Sequence, residues 1–139
     1  MIDRSRVLRI TSIGASSAGA LVSAILLDPN LVESTPICEI GTTFSCTNVL
    51  SSPYSSVYGV PLALLGLVWF VVAGFLSINL GRERSYTMAM MVWSILGLLS
   101  ITYLVYLEVF VINSLCVYCT VAHVMGTVVF ASAYLAYVR

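Results

Sequence analysis

Charge is what this sequence has least of. Only 9% of its 139 residues are charged, against roughly 25% in an ordinary soluble domain. Meanwhile 60% are hydrophobic, and the mean hydropathy is +1.03. A soluble globular domain is therefore excluded, and the chain reads as one integral membrane domain over residues 1–139. Lysine is absent, and the six arginines cancel six acidic residues. A net charge of zero offers nothing to a nucleic-acid backbone. There is a single histidine, His123, so no second imidazole can join it in a metal site. Alternating apolar and polar strands are also missing, which argues against a membrane barrel.

What the chain does have is long apolar runs. Four of them, Leu8–Leu27, Pro61–Leu80, Tyr86–Ile112 and Leu115–Val138, approach the roughly 20 helical residues that cross about 30 Å of hydrocarbon. The expected fold is an all-α bundle of four transmembrane helices. The third run is longer than needed, as in a tilted helix or one that projects beyond the bilayer. The first also has the form of a signal peptide, with an arginine-rich start, but its length favours a retained helix. Ala15, Gly19 and Ser23 recur in it at every fourth position, which suits close helix packing.

The arginines orient the bundle. Arg4, Arg6 and Arg9 precede the first run, Arg82 and Arg84 lie between the second and third, and Arg139 ends the chain. With four spans these places share one side, which the positive-inside rule makes cytoplasmic, so both termini are expected there. The opposite side carries Asp28, Glu33, Glu39 and Glu108, and all four cysteines. That is the side where disulfides persist.

Residues 28–60 form the one sizeable polar segment, too long for a passive connector in a compact bundle. Phe44, Val49 and Leu50 suit the apolar side of a short helix on the membrane surface. Pro53 is expected to stop that helix at Ser52, and Pro61 to stand in the first turn of the next. Trp69 and Trp93 read as interface or packing residues without chemistry.

Chemistry concentrates in the cysteines. Cys38 and Cys46 lie in the loop with seven residues between them, and Cys116-Val-Tyr-Cys119 heads the last run. With Asn113 or Ser114 as helix cap, Cys116 falls in the first turn, where the helix dipole favours a thiolate. Cys116, Cys119 and His123 then share one helix face. Four cysteines allow three pairings, and spacing does not choose among them. Inert staples and a four-cysteine zinc site are alternatives, although zinc modules usually use two short Cys-x-x-Cys hooks. A dithiol relay, with one pair open to a protein partner and a second able to exchange with it, fits the arrangement best.

These elements together, Cys38-Glu39-x-Gly41, Ser45-Cys46, Ser51-Ser52, Gly59-Val60-Pro61 and Cys116-x-x-Cys119, resemble the vitamin K epoxide reductase family, in its microbial form. The resemblance covers essentially the whole chain. It implies four helices around a quinone pocket capped by the cysteine loop. It also implies roles for the cysteines. Cys38 would accept electrons from a thioredoxin-like partner, Cys46 would relay them through a disulfide with Cys116, and Cys119 would face the quinone. The implied supporting residues are Ser52, Ser55, Tyr58 and His123. Of these, Ser55 and His123 stand where the vertebrate enzymes have Asn and Tyr, which favours plain quinone reduction over epoxide reduction. Many microbial members carry a fused thioredoxin-like domain. With the sequence ending at Arg139, the expected partner is a separate thioredoxin-like (DsbA-like) extracytoplasmic protein.

The function expected from the sequence is thus a membrane thiol:quinone oxidoreductase of extracytoplasmic disulfide formation. A lipid quinone, such as ubiquinone or menaquinone, is the acceptor, and no metal is needed. The rivals are a quinone or quinone-epoxide reductase whose product is the reduced quinone, and a non-catalytic bundle with structural disulfides. For His123 the expected role is a neutral donor to a quinone carbonyl, and its rival is an interhelical hydrogen bond.

Overall fold

Asp3 sets where the first helix begins. Its Oδ1 accepts the backbone N–H of Ser5 at 3.1 Å, and that cap draws the arginine-bearing segment into the helix ahead of the apolar run. The computed structural model describes residues 2–139. In chain order its elements are α1 (Arg4–Leu26), α2 (Pro29–Glu33), β1 (Glu39–Ile40), β2 (Phe44–Ser45) and α3 (Cys46–Leu50). They are followed by β3 (Ser56–Val57), β4 (Val60–Pro61), α4 (Leu62–Ser77), α5 (Arg84–Tyr106) and α6 (Val117–Tyr137). Single 3-10 turns at Pro36–Cys38 and Pro53–Ser55 link the loop elements.

The long helices pack as a bundle in which α1 lies against both α4 and α6, and α5 lies against α6. Small residues make the close approach possible. Ser12, Ala15, Ser16, Gly19 and Ser23 form the buried face of α1. Any Cβ at Gly19 would run into the ring of Phe70 on α4. Ser77 donates its hydroxyl to the carbonyl of Ala73 at 2.7 Å, so in its 2.7 Å contact with Ser12 it is the acceptor. Trp69 of α4 and Trp93 of α5 donate their indole N–H groups to each other's backbone carbonyls, at 3.3 and 3.1 Å, with their rings stacked. These two tryptophans therefore pin α4 to α5.

Three helical stretches, Arg4–Leu26, Arg84–Ile112 and Val117–Tyr137, are long and apolar enough to cross a membrane. The second apolar run is shorter as a helix than its composition suggests. α4 has 16 residues, about 24 Å at 1.5 Å per residue. It stops at Ser77 because the chain turns through Asn79 and reverses at Gly81, whose φ is +76°. Beyond it, α5 continues past Tyr106 as a π-helical segment, Leu107–Ile112. Asn113 ends that segment with a left-handed φ of +55°.

The polar loop is built from two small hairpins. In one, Glu39 pairs with Ser45 and Ile40 with Phe44, turning at Gly41 (φ +65°). In the other, Val57 pairs with Val60 across Tyr58 and Gly59, both with positive φ, as a tight two-residue turn requires. The expected surface helix is reduced to α3. Phe44 lies in β2 instead, and Val49 faces inward. Pro61 ends β4 and precedes the first turn of α4 rather than standing within it.

Candidate active site

The first hairpin brings two cysteines together. Its register pairs Glu39 with Ser45, so Cys38 and Cys46 stand opposite each other one position beyond. They form a disulfide with a Cα–Cα distance of 5.2 Å, while Cys116 and Cys119 are free thiols. Glu39 closes the hairpin base: its Oε1 accepts the Ser45 hydroxyl at 3.1 Å and the Thr47 N–H at 3.3 Å. Those hydrogen bonds, from Thr47 foremost, hold the Glu39 carboxyl below its usual range.

The same hairpin docks on the entry to α6. Ser45 donates its N–H to the Leu115 carbonyl at 2.9 Å, and Leu115 donates its own to the Thr43 carbonyl at 2.8 Å. Cys46 and Cys116 are the residues that follow Ser45 and Leu115. Both are fully buried, in one cluster with Cys38, Val32 and Val49.

The start of α6 differs from the expected one. Neither Asn113 nor Ser114 is the cap: Asn113 ends the π segment, and Ser114 donates its N–H back to the Glu108 carbonyl at 3.1 Å. Cys116 is itself the cap, its Sγ accepting the Cys119 N–H at 3.3 Å. The first sulfur thus meets a free amide of the first turn directly, without being inside that turn. It also leaves the face shared by Cys119 and His123, which alone of the three line the cavity below.

That cavity has a volume of about 680 Å³ and lies inside the bundle beneath the loop. Its lining is mostly apolar, and Trp69, Phe70 and Ile101 contribute to its walls. Cys119, His123 and Glu108 bring polar groups to it, and Ser52 and Ser55 stand at its loop side. Both serine hydroxyls already donate to backbone, Ser52 to the Val49 carbonyl and Ser55 to the Ser52 carbonyl, each at 2.8 Å. Toward a ligand they retain lone pairs only. Tyr58 is fully exposed at the tip of the second hairpin and does not line this cavity. The His123 ring has no hydrogen-bond partner among the described residues, while its backbone carbonyl accepts the Thr127 hydroxyl at 2.9 Å.

Over residues 10–134 the sequence matches the Vitamin K epoxide reductase family. The chain belongs to that family. No curated protein matches it. Vitamin K epoxide reductase family members are membrane oxidoreductases that use a quinone as electron partner. The cavity fits such a substrate: its size falls within the roughly 300–1,000 Å³ usual for small-molecule sites, apolar with a few polar groups. The disulfide and the nearby thiols fit redox chemistry.

One cavity residue escaped the sequence reading. Glu108, 5% exposed, stands out in the sequence only as one of four acids on the cysteine-bearing side. In the fold its side chain is buried at the wall of the cavity that Cys119 also lines, and its backbone carbonyl accepts the N–H of Ser114, two residues before Cys116. Its place within an apolar run was the available signal, because a carboxylate there is costly without a purpose.

Proposed function

We propose that this protein is a thiol:quinone oxidoreductase that moves electrons from an extracytoplasmic dithiol protein to a lipid quinone, and so supports disulfide formation outside the cytoplasm. The whole chain acts as one membrane domain. α4 makes the fourth crossing, the arginine-bearing end and both termini are cytoplasmic, and the cysteine end faces outward. The observation that carries this reading is the docking of the Cys38–Cys46 hairpin on Leu115, which sets Cys46 beside Cys116.

The steps follow from thiol–disulfide exchange. A partner thiolate attacks Cys38, its second thiol resolves the mixed disulfide, and the Cys38–Cys46 pair is left reduced. Cys46 then attacks Cys116 of a Cys116–Cys119 disulfide, releasing Cys119. Attack of Cys38 on Cys46 restores the loop disulfide and frees Cys116. The result is the arrangement observed, an oxidised loop pair above two reduced thiols. From it Cys119, on the cavity wall, delivers two electrons to the quinone as the Cys116–Cys119 bond forms. Cys38 is only 1% exposed, so the partner must open the hairpin before it can attack.

Redox titration in quinone-containing vesicles tests the reading. The four cysteines should follow the quinone pool, and Cys119→Ser should uncouple them from it. A protein whose cysteines ignore the pool is a stapled bundle, and the proposal fails. Labelling of reduced Cys38 and Cys46 by an impermeant reagent from the cytoplasmic side alone would overturn the orientation.

A further inference from the structure

We infer that Glu108 is the proton-transfer group of this site, taking protons from the Cys116–Cys119 thiols and returning them to the quinone oxygens. The inference rests on the thiol:quinone reading above and adds to it a route for protons. Oxidising two thiols releases two protons along with two electrons, and a quinone must gain both protons to become a hydroquinone. Cys119 and the acceptor share a mostly apolar cavity, with Cys116 buried at the helix entry, so few groups there can pass a proton from thiol to quinone.

The carboxylate is where such a route needs it. Glu108 is 5% exposed and lines the same cavity as Cys119. The backbone around it is arranged to put it there. The π segment Leu107–Ile112 breaks the α-helical register at Glu108, and such bulges occur often at functional sites. The Glu108 carbonyl accepts the N–H groups of Asn113 and Ser114, which binds the turn leading to Cys116 back onto this residue. A structural role alone leaves unexplained why an acid, rather than an amide or an apolar side chain, occupies this wall.

Few other groups compete for the task. The titratable side chains that line the cavity with Glu108 are Cys119 and His123 from α6, Glu33 from α2, and Tyr54 from the loop. Helices α1 and α4 present none to it. Glu33 and Tyr54 are both exposed at the loop side.

The balance is complete without any further reactant. Ionised Glu108 takes the Cys119 proton, and the Cys119 thiolate adds its electron pair to a quinone ring carbon. Cys116 attacks the Cys119 sulfur, forming the S–S bond as the S–C bond breaks and leaves its electron pair on the ring, and loses its own proton. Glu108 delivers the first proton to one quinone oxygen, accepts the second from Cys116, and delivers it to the other. One dithiol and one quinone become one disulfide and one hydroquinone, and the carboxylate returns to its starting form.

The test uses the full chain in vesicles with a short-chain quinone and two readouts. The first is single-turnover oxidation of Cys116 and Cys119 across pH. The second, without quinone, is the rate of Cys119 alkylation by a neutral maleimide. Glu108→Gln keeps shape and polarity but cannot carry a proton. Oxidation by quinone should fall by about a hundredfold at neutral pH, the low end of general acid–base effects. It should recover as pH rises and hydroxide substitutes for the carboxylate. Alkylation should not slow, since removing a negative charge beside a thiol does not disfavour its thiolate. If Glu108→Gln fails to fold, Glu108→Asp, which keeps a carboxylate one methylene short, should show a smaller loss in oxidation with alkylation intact. Wild-type rate and pH profile in the variant, or parallel losses in both readouts, would overturn the inference. Absence of quinone turnover in the wild type would instead overturn the function on which it rests.

Discussion

Ser45 and Leu115, 70 positions apart, are joined by a 2.9 Å hydrogen bond from the Ser45 N–H to the Leu115 carbonyl. The bond is main chain to main chain, so it fixes the positions of the next residues on both strands. Those residues are Cys46 and Cys116. In the proposed relay the loop therefore needs no special side chain to aim its sulfur at the helix; a one-residue bridge between Phe44 and Leu115 does the aiming. The Asn48 side-chain amide, donating to the Ser114 hydroxyl at 3.5 Å, adds a longer polar contact across the same seam.

The relay can be trapped. With Cys38 and Cys119 both changed to Ser, Cys46 and Cys116 are left as the only two thiols and should oxidise to a disulfide tying the loop to α6. Cleavage between α4 and α5 should then leave two fragments that migrate together until a reductant is added. Fragments that separate without reductant would remove Cys46 from the relay.

Much of this was legible beforehand. Apolar runs, arginine placement and cysteine spacing led to a helical membrane bundle with a redox loop, because hydropathy and charge act over whole segments. The misses are local. Nothing in the run from Tyr86 to Ile112 marks a change from α to π geometry, since the same apolar residues suit both. The cap of α6 was assigned to Asn113 or Ser114 by side-chain preference. The left-handed turn at Asn113 used those residues up and left Cys116 to cap with its sulfur. Two-residue strands such as Glu39–Ile40 are too short to alternate visibly. They exist because Gly41 allows the turn and Leu115 offers a docking edge.

Glu39 should make the hairpin sensitive to acid. Hydrogen bonds from Thr47, supported by Ser45, lower its pKa from 4.5. A carboxylate depressed by folding contributes stability that is present above its unfolded pKa and lost as pH falls through the folded one. The clasp should therefore hold unchanged from pH 7 to about 5 and loosen only below the usual Glu range near 4.3. A phosphine reductant that works in acid can follow this as the rate of Cys38–Cys46 reduction, which should rise below that range. In Glu39→Gln the rise should vanish and reduction at neutral pH should already be faster. A wild-type rate without an acid limb would show that Glu39 does not gate the disulfide.

Two glycines of α1 should respond in opposite directions to the same change. A Cβ at Gly19 meets the Phe70 ring, whereas one at Gly14 meets nothing within 4 Å. Gly19→Ala should force α1 and α4 apart or displace the ring, at a cost of about 1–3 kcal/mol. Gly14→Ala should stabilise by roughly 0.5–1 kcal/mol through helix propensity alone. Unfolding midpoints in one detergent give both values, and a Gly19→Ala protein as stable as wild type would contradict the close packing of α1 on α4.

His123 offers the sharpest separation of binding from packing. Its ring lines the cavity one helical turn below Cys119 and has no protein partner among the described residues. An interhelical hydrogen bond, the bland role open to it, is thus not made. A ring N–H free in an apolar cavity can donate to a quinone carbonyl and draw electron density away from the ring carbons that the Cys119 sulfur approaches. One such bond contributes about 0.5–1.5 kcal/mol. His123→Phe should slow quinone reduction by up to about tenfold, because roughly 1.4 kcal/mol is one decade in rate. The proposed exchange between Cys38 and a dithiol partner does not involve the cavity and should be unchanged. If quinone reduction proceeds at the wild-type rate while the unfolding midpoint falls, His123 serves the bundle's packing and the donor role is wrong.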